Sequence, residues 1–270
     1  MGPVFKLRRG EIEMQLNAVV TGGSKGIGFG IAACLLKRGY AVTIAGRNET
    51  DLEAASSKLE PLGSVEAVAA DVTNEDDVER LMSRFEDPAR PLSLLVNNAG
   101  LADYKTLLKM DLARWRSVVD VNLTGVFLTL QRGARRMRAS GGGAIVNVAS
   151  IDAAGTDGRQ SAYGAAKAGV VNLTKTAAVE LAPYGIRVNS VSPGWTLTAM
   201  ISDHVSEAAR QHMTESFSRV PMGRLVEVDE IARTVAFLGS AEASGITGID
   251  VPVDCGTLAN LYIAETLPKE

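Results

Sequence analysis

The chain has 270 residues, of which 46% are hydrophobic and 22% charged, with a formal net charge of −3 and a pI near 5.6. This composition is typical of a globular domain rather than a disordered or fibrous chain, and the mild acidity provides no basic surface for nucleic acid. Two cysteines form no disulfide framework and no apolar run reaches about 18 residues, so we predict a cytoplasmic protein without a membrane span.

Short apolar runs alternate along the chain with longer segments of helical period, the pattern of a parallel sheet with crossover helices. The predicted strands are Ala18–Thr21, Ala41–Ala45, Val65–Ala69, Leu94–Asn97, Ala144–Val148, Arg187–Ser192 and one around Gly248–Val253. The predicted helices are Ile27–Arg38, Glu49–Leu59, Asn74–Phe85, Leu112–Ala139, Ala162–Ala182 and Val228–Leu238. Because the strand runs are apolar throughout, we expect helices on both faces: one Rossmann-type, doubly wound α/β domain that binds ligands at the carboxyl edge of its sheet.

The chain divides into this domain, predicted over residues 17–256, an N-terminal extension over 1–16 and a tail over 257–270. The polar stretch 193–223 follows a late strand and is predicted to act as a lid over the site. It contains both histidines, His204 and His212. We interpret them as surface residues, because two histidines without a Cys or carboxylate at ligand spacing make a poor metal site. No metal is therefore expected.

A glycine-rich turn, Thr21-Gly22-Gly23-Ser24-Lys25-Gly26-Ile27-Gly28, follows the first predicted strand. Glycine allows a sharp turn and a close approach to a pyrophosphate, and the helix that begins there directs free N–H groups at the phosphates. The spacing differs from the generic Gly-x-Gly-x-x-Gly fingerprint, and a plain tight strand-to-helix connection is the alternative. We predict that cofactor contacts come from Gly22, Ser24, Lys25, Gly26, Ile27 and Gly28.

Arg47 and Asn48 follow the second strand, at the point where an acidic residue is expected for NAD and an Arg for the 2′-phosphate of NADP. Lys25 is predicted to lie on the same edge, and two cations near one phosphate would discriminate strongly. The alternative is that both are exposed surface charges of little energetic consequence. We predict NADP(H) as the cofactor.

The third and fourth strands end in further candidate cofactor contacts. Asp71 and Val72 close the third, where a carboxylate could accept the adenine amino group. Asn97 closes the fourth and is followed by Asn98, Ala99 and Gly100. The small residues would let the chain pass beneath the cofactor. We expect Asn97 to tie neighbouring strands together and Asn98 also to contact the cofactor.

Tyr163 and Lys167 are candidate catalytic residues, because side chains four positions apart share one helix face. Tyrosine titrates near 10, too high for efficient proton transfer at neutral pH. A lysine cation, helped by an oxidised nicotinamide, would lower its pKa. Ser150 follows the fifth strand and is expected to place a hydroxyl beside the phenol. Asn122 lies before a glycine in the middle of a predicted helix, where it is unfavourable, and could hold a water that relays protons from Lys167.

These features resemble the classical short-chain dehydrogenase/reductases, over essentially Asn17 to Gly256. The resemblance is carried by Thr21–Gly28, Asn97–Gly100, Asn122, Ser150, Tyr163 with Lys167, Pro193-Gly194 and the late Gly245–Gly256 segment. It implies a catalytic tetrad of Asn122, Ser150, Tyr163 and Lys167. It also implies that Lys167 holds the nicotinamide ribose, that Pro193, Gly194, Thr196 and Thr198 cradle the carboxamide, and that a homotetramer (or homodimer) assembles on the helices of Asn122 and Tyr163.

Two features depart from the family pattern. The usual Gly-Gly of the terminal motif reads Cys255-Gly256 here. Acyl-carrier-dependent ketoreductases of the family tend to have basic residues near the Gly185 turn and before the fifth strand, whereas this chain has Tyr184 and the neutral Gly141–Gly143. The second of these differences weakens the assignment of an acyl-carrier substrate.

The sequence therefore predicts an NADPH-dependent reductase of a small-molecule ketone, with Tyr163 as acid–base and Ser150 polarising the carbonyl oxygen. Three alternatives remain: an NAD(P)-dependent dehydrogenase of a polyol or hydroxy compound, a 3-oxoacyl-thioester reductase, and a nucleotide-sensing protein that kept the fold and lost turnover. Neither nucleic acid nor a membrane is expected as a partner. The loop after Ser150 and the predicted lid are expected to decide the substrate.

Overall fold

The computed structural model describes residues 15–260, except 157, 197, 199–206, 208–210, 212, 215–216 and 218. His204, His212, most of the predicted N-terminal extension and residues 261–270 of the predicted tail lie outside the described residues. The described part of the tail begins with a short 3₁₀ turn, Thr257–Ala259. The predicted boundaries of the extension, domain, lid and tail stay predictions.

The fold is built on one seven-stranded sheet of order β3-β2-β1-β4-β5-β6-β7, and each neighbouring pair is parallel. The strands are β1 Asn17–Thr21, β2 Ala41–Gly46, β3 Val65–Ala69, β4 Leu92–Asn97, β5 Gly143–Val148, β6 Ile186–Pro193 and β7 Asp250–Val253. The order reverses between β1 and β4, where an open α/β sheet forms its ligand crevice. The predicted doubly wound fold is confirmed.

The helices are α1 Gly26–Lys37, α2 Glu49–Leu59, α3 Glu75–Ser83, α4 Leu112–Val119, α5 Gly125–Ser140, α6 Ser161–Leu181 and α7 Val228–Gly239. Short 3₁₀ turns occupy Glu60–Leu62, Leu107–Lys109, Ile151–Ala153, Ala182–Tyr184 and Ala241–Ala243. Helices α1, α2 and α7 bury apolar side chains on one face of the sheet, and α3, α5 and α6 do so on the other.

The side chains of each strand point alternately to the two faces of the sheet, and they contribute to the hydrophobic core on each face. In β4, Leu94 and Val96 pack into the core beneath α1 and α7, whereas Leu95 packs into the opposite core. Successive side chains of a strand point to opposite faces, so a strand covered on both sides is apolar at every position. Fully burying an aliphatic side chain of this size contributes about 1.5–3 kcal/mol.

One predicted helix is confirmed as a helical segment but is not α-helical throughout. The segment predicted as a single helix over Leu112–Ala139 is α4, then a π-helical turn at Asp120–Thr124, then α5. The side-chain amide of Asn122 donates to the carbonyl of Val118 one turn earlier, at 2.9 Å. Side-chain insertion into the hydrogen-bond ladder is a recognised cause of such irregularities. The last strand also begins later than predicted, at Asp250.

A chain of buried hydrogen bonds crosses the sheet at the end of β4. Thr129 donates to the Oδ1 of Asn97 at 2.7 Å, and Asn97 donates to the Oδ1 of Asn147 at 2.9 Å. Asn147 in turn donates to the hydroxyl of Thr174 at 2.9 Å. All four side chains are buried, and pairing removes the cost of burying them. The network joins α5, β4, β5 and α6, which confirms the tie predicted for Asn97.

Candidate active site

A cavity of about 360 Å³ opens at the carboxyl edge of the sheet, where β1, β4, β5 and β6 end. The predicted site residues that line it are Gly22, Lys25, Gly26, Ile27, Asn98, Ala99, Gly100, Ser150, Tyr163, Lys167, Pro193, Gly194, Thr196 and Thr198. The predicted site residues outside its lining are Ser24, Gly28, Arg47, Asn48, Asp71, Val72 and Asn122. The glycine turn and the tyrosine–lysine pair therefore belong to one cavity.

The glycine turn is held against the end of β4 at distances that exclude side chains. Gly22 has a φ of +64°, and a Cβ on it would lie 2.9 Å from the Cα of Ala99. A Cβ on Gly28 would lie 2.2 Å from the carbonyl oxygen of Gly22. The side-chain amide of Asn98 donates to the carbonyls of Thr21 and Gly22, at 3.0 and 3.1 Å. Asn98 thus fixes the turn as well as lining the cavity.

The first turn of α1 fits a phosphate group. No side chain caps the helix at Lys25, and its first turn contains no acidic residue. By contrast, α2 is capped by Asn48 and has Glu49 and Asp51 in its first turn. Uncapped N–H groups and the positive end of the helix dipole favour an anion. Together with the glycine approach, this supports the predicted pyrophosphate position.

The predicted 2′-phosphate residues differ in their surroundings. Arg47 is exposed and follows β2 directly. Lys25 is also exposed, and its ammonium forms an ion pair with Asp51 at 2.8 Å, a partner that sequence reasoning missed. The Oδ1 of Asn48 accepts a hydrogen bond from the N–H of Asp51 at 3.0 Å, so this atom already serves as the cap of α2.

Asp71 and Val72 lie just beyond the end of β3 rather than closing it. The Oδ1 of Asp71 accepts from the N–H and the hydroxyl of Thr73, at 2.9 and 2.8 Å. Val72 is buried, and a Cβ on Gly125 would lie 2.7 Å from its Cγ2. Val72 therefore packs against the start of α5.

The chemical end of the cavity is built by α6 and the end of β5. The hydroxyl of Tyr163 is hydrogen-bonded to Ser150, and the hydroxyl of Ser150 also accepts from the N–H of Asp152 at 3.1 Å. The ammonium of Lys167 lies 5.6 Å from the centre of the Tyr163 ring and donates to the carbonyl of Val148 at 2.6 Å. The structure thus brings together the predicted serine, tyrosine and lysine.

Burial shifts the pKa values of both residues of this pair. Desolvation raises the pKa of Tyr163 above its ordinary value and outweighs the hydrogen bond with Ser150, while nearby Asp152 and Tyr104 act in the same direction as burial. Desolvation lowers the pKa of Lys167 to about 8. The predicted decrease in the pKa of Tyr163 relied on positive charge from Lys167 and from an oxidised nicotinamide. The groups of the protein alone raise this pKa instead.

Asn122 is buried behind the cavity and bound to the loop after β4. Its amide nitrogen donates to the carbonyls of Leu101 and Val118, at 2.8 and 2.9 Å, and its Oδ1 accepts from the N–H of Leu101 at 3.3 Å. A Cβ on Gly100 would lie 3.1 Å from that Oδ1 and 4.0 Å from the Nζ of Lys167. Both amide donors are therefore used by the backbone, and the proposed water-holding role of Asn122 stays a prediction.

The predicted carboxamide cradle closes the cavity on the far side. Gly194 donates to the carbonyl of Val253 at 2.9 Å, and a Cβ on it would lie 2.7 Å from the Cα of Asp254. The hydroxyl of Thr196 donates to the carbonyl of Gly194 at 3.0 Å. The Cγ2 of Thr198 lies 3.5 Å from the position of a Cβ on Gly26. This segment therefore faces the glycine turn.

Sequence reasoning left out several residues of the lining, because only the fold brings them to the cavity. These are Ala102, Tyr104, Val148, Ala149 and Ile151. The described part of the predicted lid contributes Trp195, whose ring meets that of Phe217 edge-on at 5.8 Å. Phe217 belongs to a buried cluster with Met213 and Val220. Polar Asp152 and Gln160 also face the cavity.

Within residues 15–260, less the gaps given above, His, Cys, Asp and Glu side chains do not gather in threes at distances suited to a metal ion. Over the same residues, each helix is too short or too polar to cross a bilayer.

The parallel sheet, the phosphate-fitting turn and the Ser–Tyr–Lys cluster in one cavity define a nucleotide-dependent oxidoreductase of the Rossmann type. A family model described as Enoyl-(Acyl carrier protein) reductase matches residues 22–257. Cis-4-hydroxycyclohexanecarboxylate dehydrogenase of Sinomonas cyclohexanicum is 42% identical over 251 residues, which are 93% of this chain and 99% of the relative. A 3-oxoacyl-acyl-carrier-protein reductase of Staphylococcus aureus is 38% identical over 91% of this chain and 99% of its own length.

Solved structures agree with these relatives. A short-chain type dehydrogenase/reductase from Mycobacterium marinum superposes with a TM-score of 0.84 at 33% identity, covering 92% of this chain and 97% of that one. A variant of the actinorhodin polyketide ketoreductase, solved with NADPH, has a TM-score of 0.84 at 33% identity over 90% of this chain and 97% of its own. The chain therefore belongs to the classical short-chain dehydrogenase/reductase family. It is an oxidoreductase that acts on alcohol and carbonyl groups.

Proposed function

We propose that this protein reduces a small-molecule ketone to a secondary alcohol with NADPH. The observation that carries the proposal is that Tyr163, Ser150 and the buried Lys167 line one cavity, which the glycine turn also lines. A hydroxyl pair of this kind can hold one carbonyl oxygen from two sides. The glycine turn is positioned to hold a cofactor in reach of that carbonyl.

Each side chain has a distinct task in this proposal. The bound nicotinamide supplies the hydride. Tyr163 donates its proton to the carbonyl oxygen, and Ser150 donates a hydrogen bond to the same oxygen as negative charge develops there. Lys167 helps to hold the nicotinamide ribose and places a cation behind the phenol. Asn122 positions the loop at Leu101 through its three hydrogen bonds.

The cofactor pool bears on the direction of this reversible reaction. In the reductive direction the phenol of Tyr163 must hold its proton until the carbonyl oxygen receives it. Burial raises the pKa of Tyr163, so the protein without cofactor holds this phenol protonated. In the cell, an NADP pool that is kept reduced favours the same direction.

We further propose the cofactor contacts expected from the sequence. The N–H groups from Gly26 to Gly28 hold the pyrophosphate, and Arg47 with Lys25 binds the 2′-phosphate, in support of NADPH over NADH. Further proposed contacts are Gly22, Ser24, Asn48, Asp71, Val72, Asn98, Ala99 and Gly100, together with Pro193, Gly194, Thr196 and Thr198 at the carboxamide. The proposal includes no metal.

The proposed assembly is a homotetramer, or a homodimer, built on α5 and α6, in the cytoplasm. Apolar side chains on these helices face outward, with Phe127 on α5 42% exposed and Val179 on α6 77% exposed. Exposed apolar groups of this size favour burial against a second copy. Sedimentation of the purified protein would test the proposed assembly.

Two other activities are supported by particular relatives. The relative from Sinomonas favours oxidation of a hydroxy compound. L-rhamnose 1-dehydrogenase (NAD(P)(+)) of Azotobacter vinelandii, 38% identical over 90% of this chain and 96% of its own, favours oxidation of a sugar, which is also a hydroxy compound. The relative from Staphylococcus favours 3-oxoacyl-thioester reduction. The sequence-based objection to this last activity is weakened by the structure, because the exposed Arg138 lies 4.2 Å from the ring of Tyr184 and so places a basic residue beside the Gly185 turn. Rates over a panel of ketones, keto esters, sugars and thioesters would separate the three.

A Tyr163→Phe variant tests the proposal. We expect NADPH-dependent ketone reduction to fall by roughly 100-fold or more, the size of a general acid contribution, while NADPH affinity changes less than about 2-fold because the ring remains. Tyr184→Phe, at a half-exposed position, is the matched control and should keep full activity. Retained activity in Tyr163→Phe would reject the mechanism. Absence of turnover in the wild type over the whole panel would instead favour a nucleotide-sensing protein.

A further inference from the structure

Asp152 is the acidic side chain among the described residues that line the cavity. It lies in the 3₁₀ turn Ile151–Ala153 that follows Ser150, and its own N–H donates to the Ser150 hydroxyl. Its backbone also packs on the first turn of α6, because a Cβ on Gly164 would lie 3.1 Å from the Asp152 carbonyl and 4.0 Å from its Cβ. Asp152 therefore lies next to both proposed catalytic hydroxyls.

Asp152 lines the same cavity as the hydroxyls of Ser150 and Tyr163. It contributes to the raised pKa of the Tyr163 hydroxyl, which supports a separation short enough for a substantial electrostatic effect. The basic lining residues lie elsewhere: Lys25 is in the glycine turn, paired with Asp51, and Lys167 is behind Tyr163, bonded to Val148.

Two neutral polar residues also belong to the described lining of the cavity. Tyr104, from the loop after β4, and the buried Gln160, which precedes α6, both line the cavity. Their side chains can accept or donate hydrogen bonds. Trp195 forms the apolar wall of the described cavity. The described lining thus has one apolar wall and one wall of hydrogen-bonding groups with a carboxylate.

From this arrangement, and resting on the function proposed above, we propose that Asp152 selects the substrate. It favours neutral carbonyl compounds that have a hydroxyl donor near the reacting carbonyl, and it disfavours carboxylates. A carboxylate oxygen is a strong hydrogen-bond acceptor for a substrate hydroxyl. A carboxylate on the substrate would be repelled by the like charge of Asp152, so Asp152 would select against anionic substrates. The Sinomonas relative is named for a carboxylate substrate, so the two proteins would differ in substrate class.

Three ketones that share one ring test this selection: 3-(hydroxymethyl)cyclohexanone, methyl 3-oxocyclohexanecarboxylate and 3-oxocyclohexanecarboxylate. For the wild type with NADPH, we expect kcat/KM to be highest for the hydroxymethyl compound and about 10-fold or more lower for the carboxylate. A 10-fold difference corresponds to roughly 1.4 kcal/mol, the size of one like-charge contact. In Asp152→Asn, the ratio of carboxylate to hydroxymethyl kcat/KM should rise about 10-fold, mainly through KM. Asp152→Ser provides a second variant without the charge.

Asp76→Asn is the matched control, because Asp76 is an exposed acid in the first turn of α3 and its loss changes the net charge equally. It should leave the ratio at its wild-type value. An unchanged ratio in both Asp152 variants, or a wild-type preference for the carboxylate, would overturn the proposed selection.

A binding measurement separates this inference from the proposed function. Cyclohexylmethanol and cyclohexanecarboxylate have no carbonyl to reduce, so calorimetric titration of each into the NADPH complex reports selection without turnover. If the wild type binds the alcohol more tightly than the carboxylate, and Asp152→Asn loses this preference, the result supports the selection. It does so even if the wild type reduces none of the three ketones. The missing reduction would then count against the reductase proposal alone. Turnover of all three ketones at similar kcat/KM would count against the selection alone.

Discussion

The ammonium of Lys167 donates a 2.6 Å hydrogen bond to the carbonyl of Val148, the last residue of β5. This contact fixes α6 against the strand that leads to Ser150, so the helix and the loop after the strand meet at a fixed position. Lys167 is only 3% exposed, and burial lowers its pKa to about 8. Burying a cation at neutral pH lowers the stability of the folded state. We infer that Lys167 serves the site rather than the stability of the fold.

Replacing this cation should therefore remove activity without reducing stability. Lowering the pKa of Lys167 to about 8 corresponds to roughly 3 kcal/mol of destabilisation at neutral pH, at about 1.4 kcal/mol per pKa unit. Leaving the Val148 carbonyl unpaired costs about 1–3 kcal/mol. Lys167→Met should thus be as stable as the wild type at pH 7, or more stable by up to about 2 kcal/mol, by urea unfolding, with ketone reduction lost.

The pH dependence of this difference has a definite sign. The folded-state pKa of about 8 lies below the ordinary value of 10.5, so between these two pH values the unfolded chain binds more protons and the wild type gains stability as pH rises. The advantage of Lys167→Met should therefore shrink between pH 8 and 10.5. Lys175→Met, at an exposed position of the same helix, is the control. A Lys167→Met variant much less stable than the wild type at pH 7 would contradict this account.

Cofactor preference should depend on Arg47 more than on Lys25. Arg47 is exposed at the end of β2, whereas the charge of Lys25 is already partly balanced by Asp51 at 2.8 Å. Arg47→Asp should lower the ratio of NADPH to NADH kcat/KM by roughly 100-fold, since it exchanges attraction of the 2′-phosphate for repulsion. Lys58→Asp, in the last turn of α2, makes the same charge change elsewhere and should keep the ratio. An unchanged or higher ratio in Arg47→Asp would favour an NAD-dependent dehydrogenase.

Glu230 should contribute stability that disappears in acid. Arg224 holds both of its carboxylate oxygens, at 2.8 and 2.9 Å, and the N–H of Glu227 donates to one of them at 2.9 Å. These bonds lower the pKa of Glu230 to about 2. The stabilisation is therefore complete above the ordinary carboxyl pKa of 4.5 and is lost as pH falls towards 2.

We expect Glu230→Gln to lose about 1 kcal/mol at pH 7, an amount that allows for solvent screening, and to match the wild type near pH 2. Denaturant unfolding at a series of pH values would measure both. Asp229→Asn removes an exposed ion pair with Arg233 on the same helix and should have less effect. A deficit of Glu230→Gln that persisted undiminished at low pH would point to lost packing instead.

Cys255 occupies a backbone conformation suited to glycine. Its φ is +53°, in the left-handed region that costs a residue with a Cβ about 1–2 kcal/mol. Cys255→Gly should therefore be more stable than Cys255→Ala by about 1 kcal/mol, the reverse of the usual order, by thermal unfolding. Both variants lose the thiol, so its packing beside Leu225 cancels in the comparison. Equal stability of the two variants would show that this conformation is not strained.

Much of this architecture follows from relations that are local in the sequence. Apolar runs of strand length and helical periodicity located the strands and helices, because both patterns repeat within a few residues. The separation of Tyr163 and Lys167 placed both on one face of α6. The glycines after β1 indicated a close backbone approach, which Gly22 and Gly28 show. The helix predicted over Leu112–Ala139 is continuous, but its π turn at Asn122 was not predicted, because that turn depends on contacts that the helical pattern does not contain.

Several contacts between side chains of the site were decided by the tertiary structure alone. Asn122 bonds to Leu101, Tyr104 comes to Tyr163 from another strand end, and Lys25 meets Asp51. The charge of Asp152 at the Tyr163 hydroxyl also required the fold, since it depends on how the turn after β5 meets α6. Periodicity reports which face of an element is buried, whereas these contacts join segments that are far apart in the chain, and only closure of the sheet and its helices sets their distances.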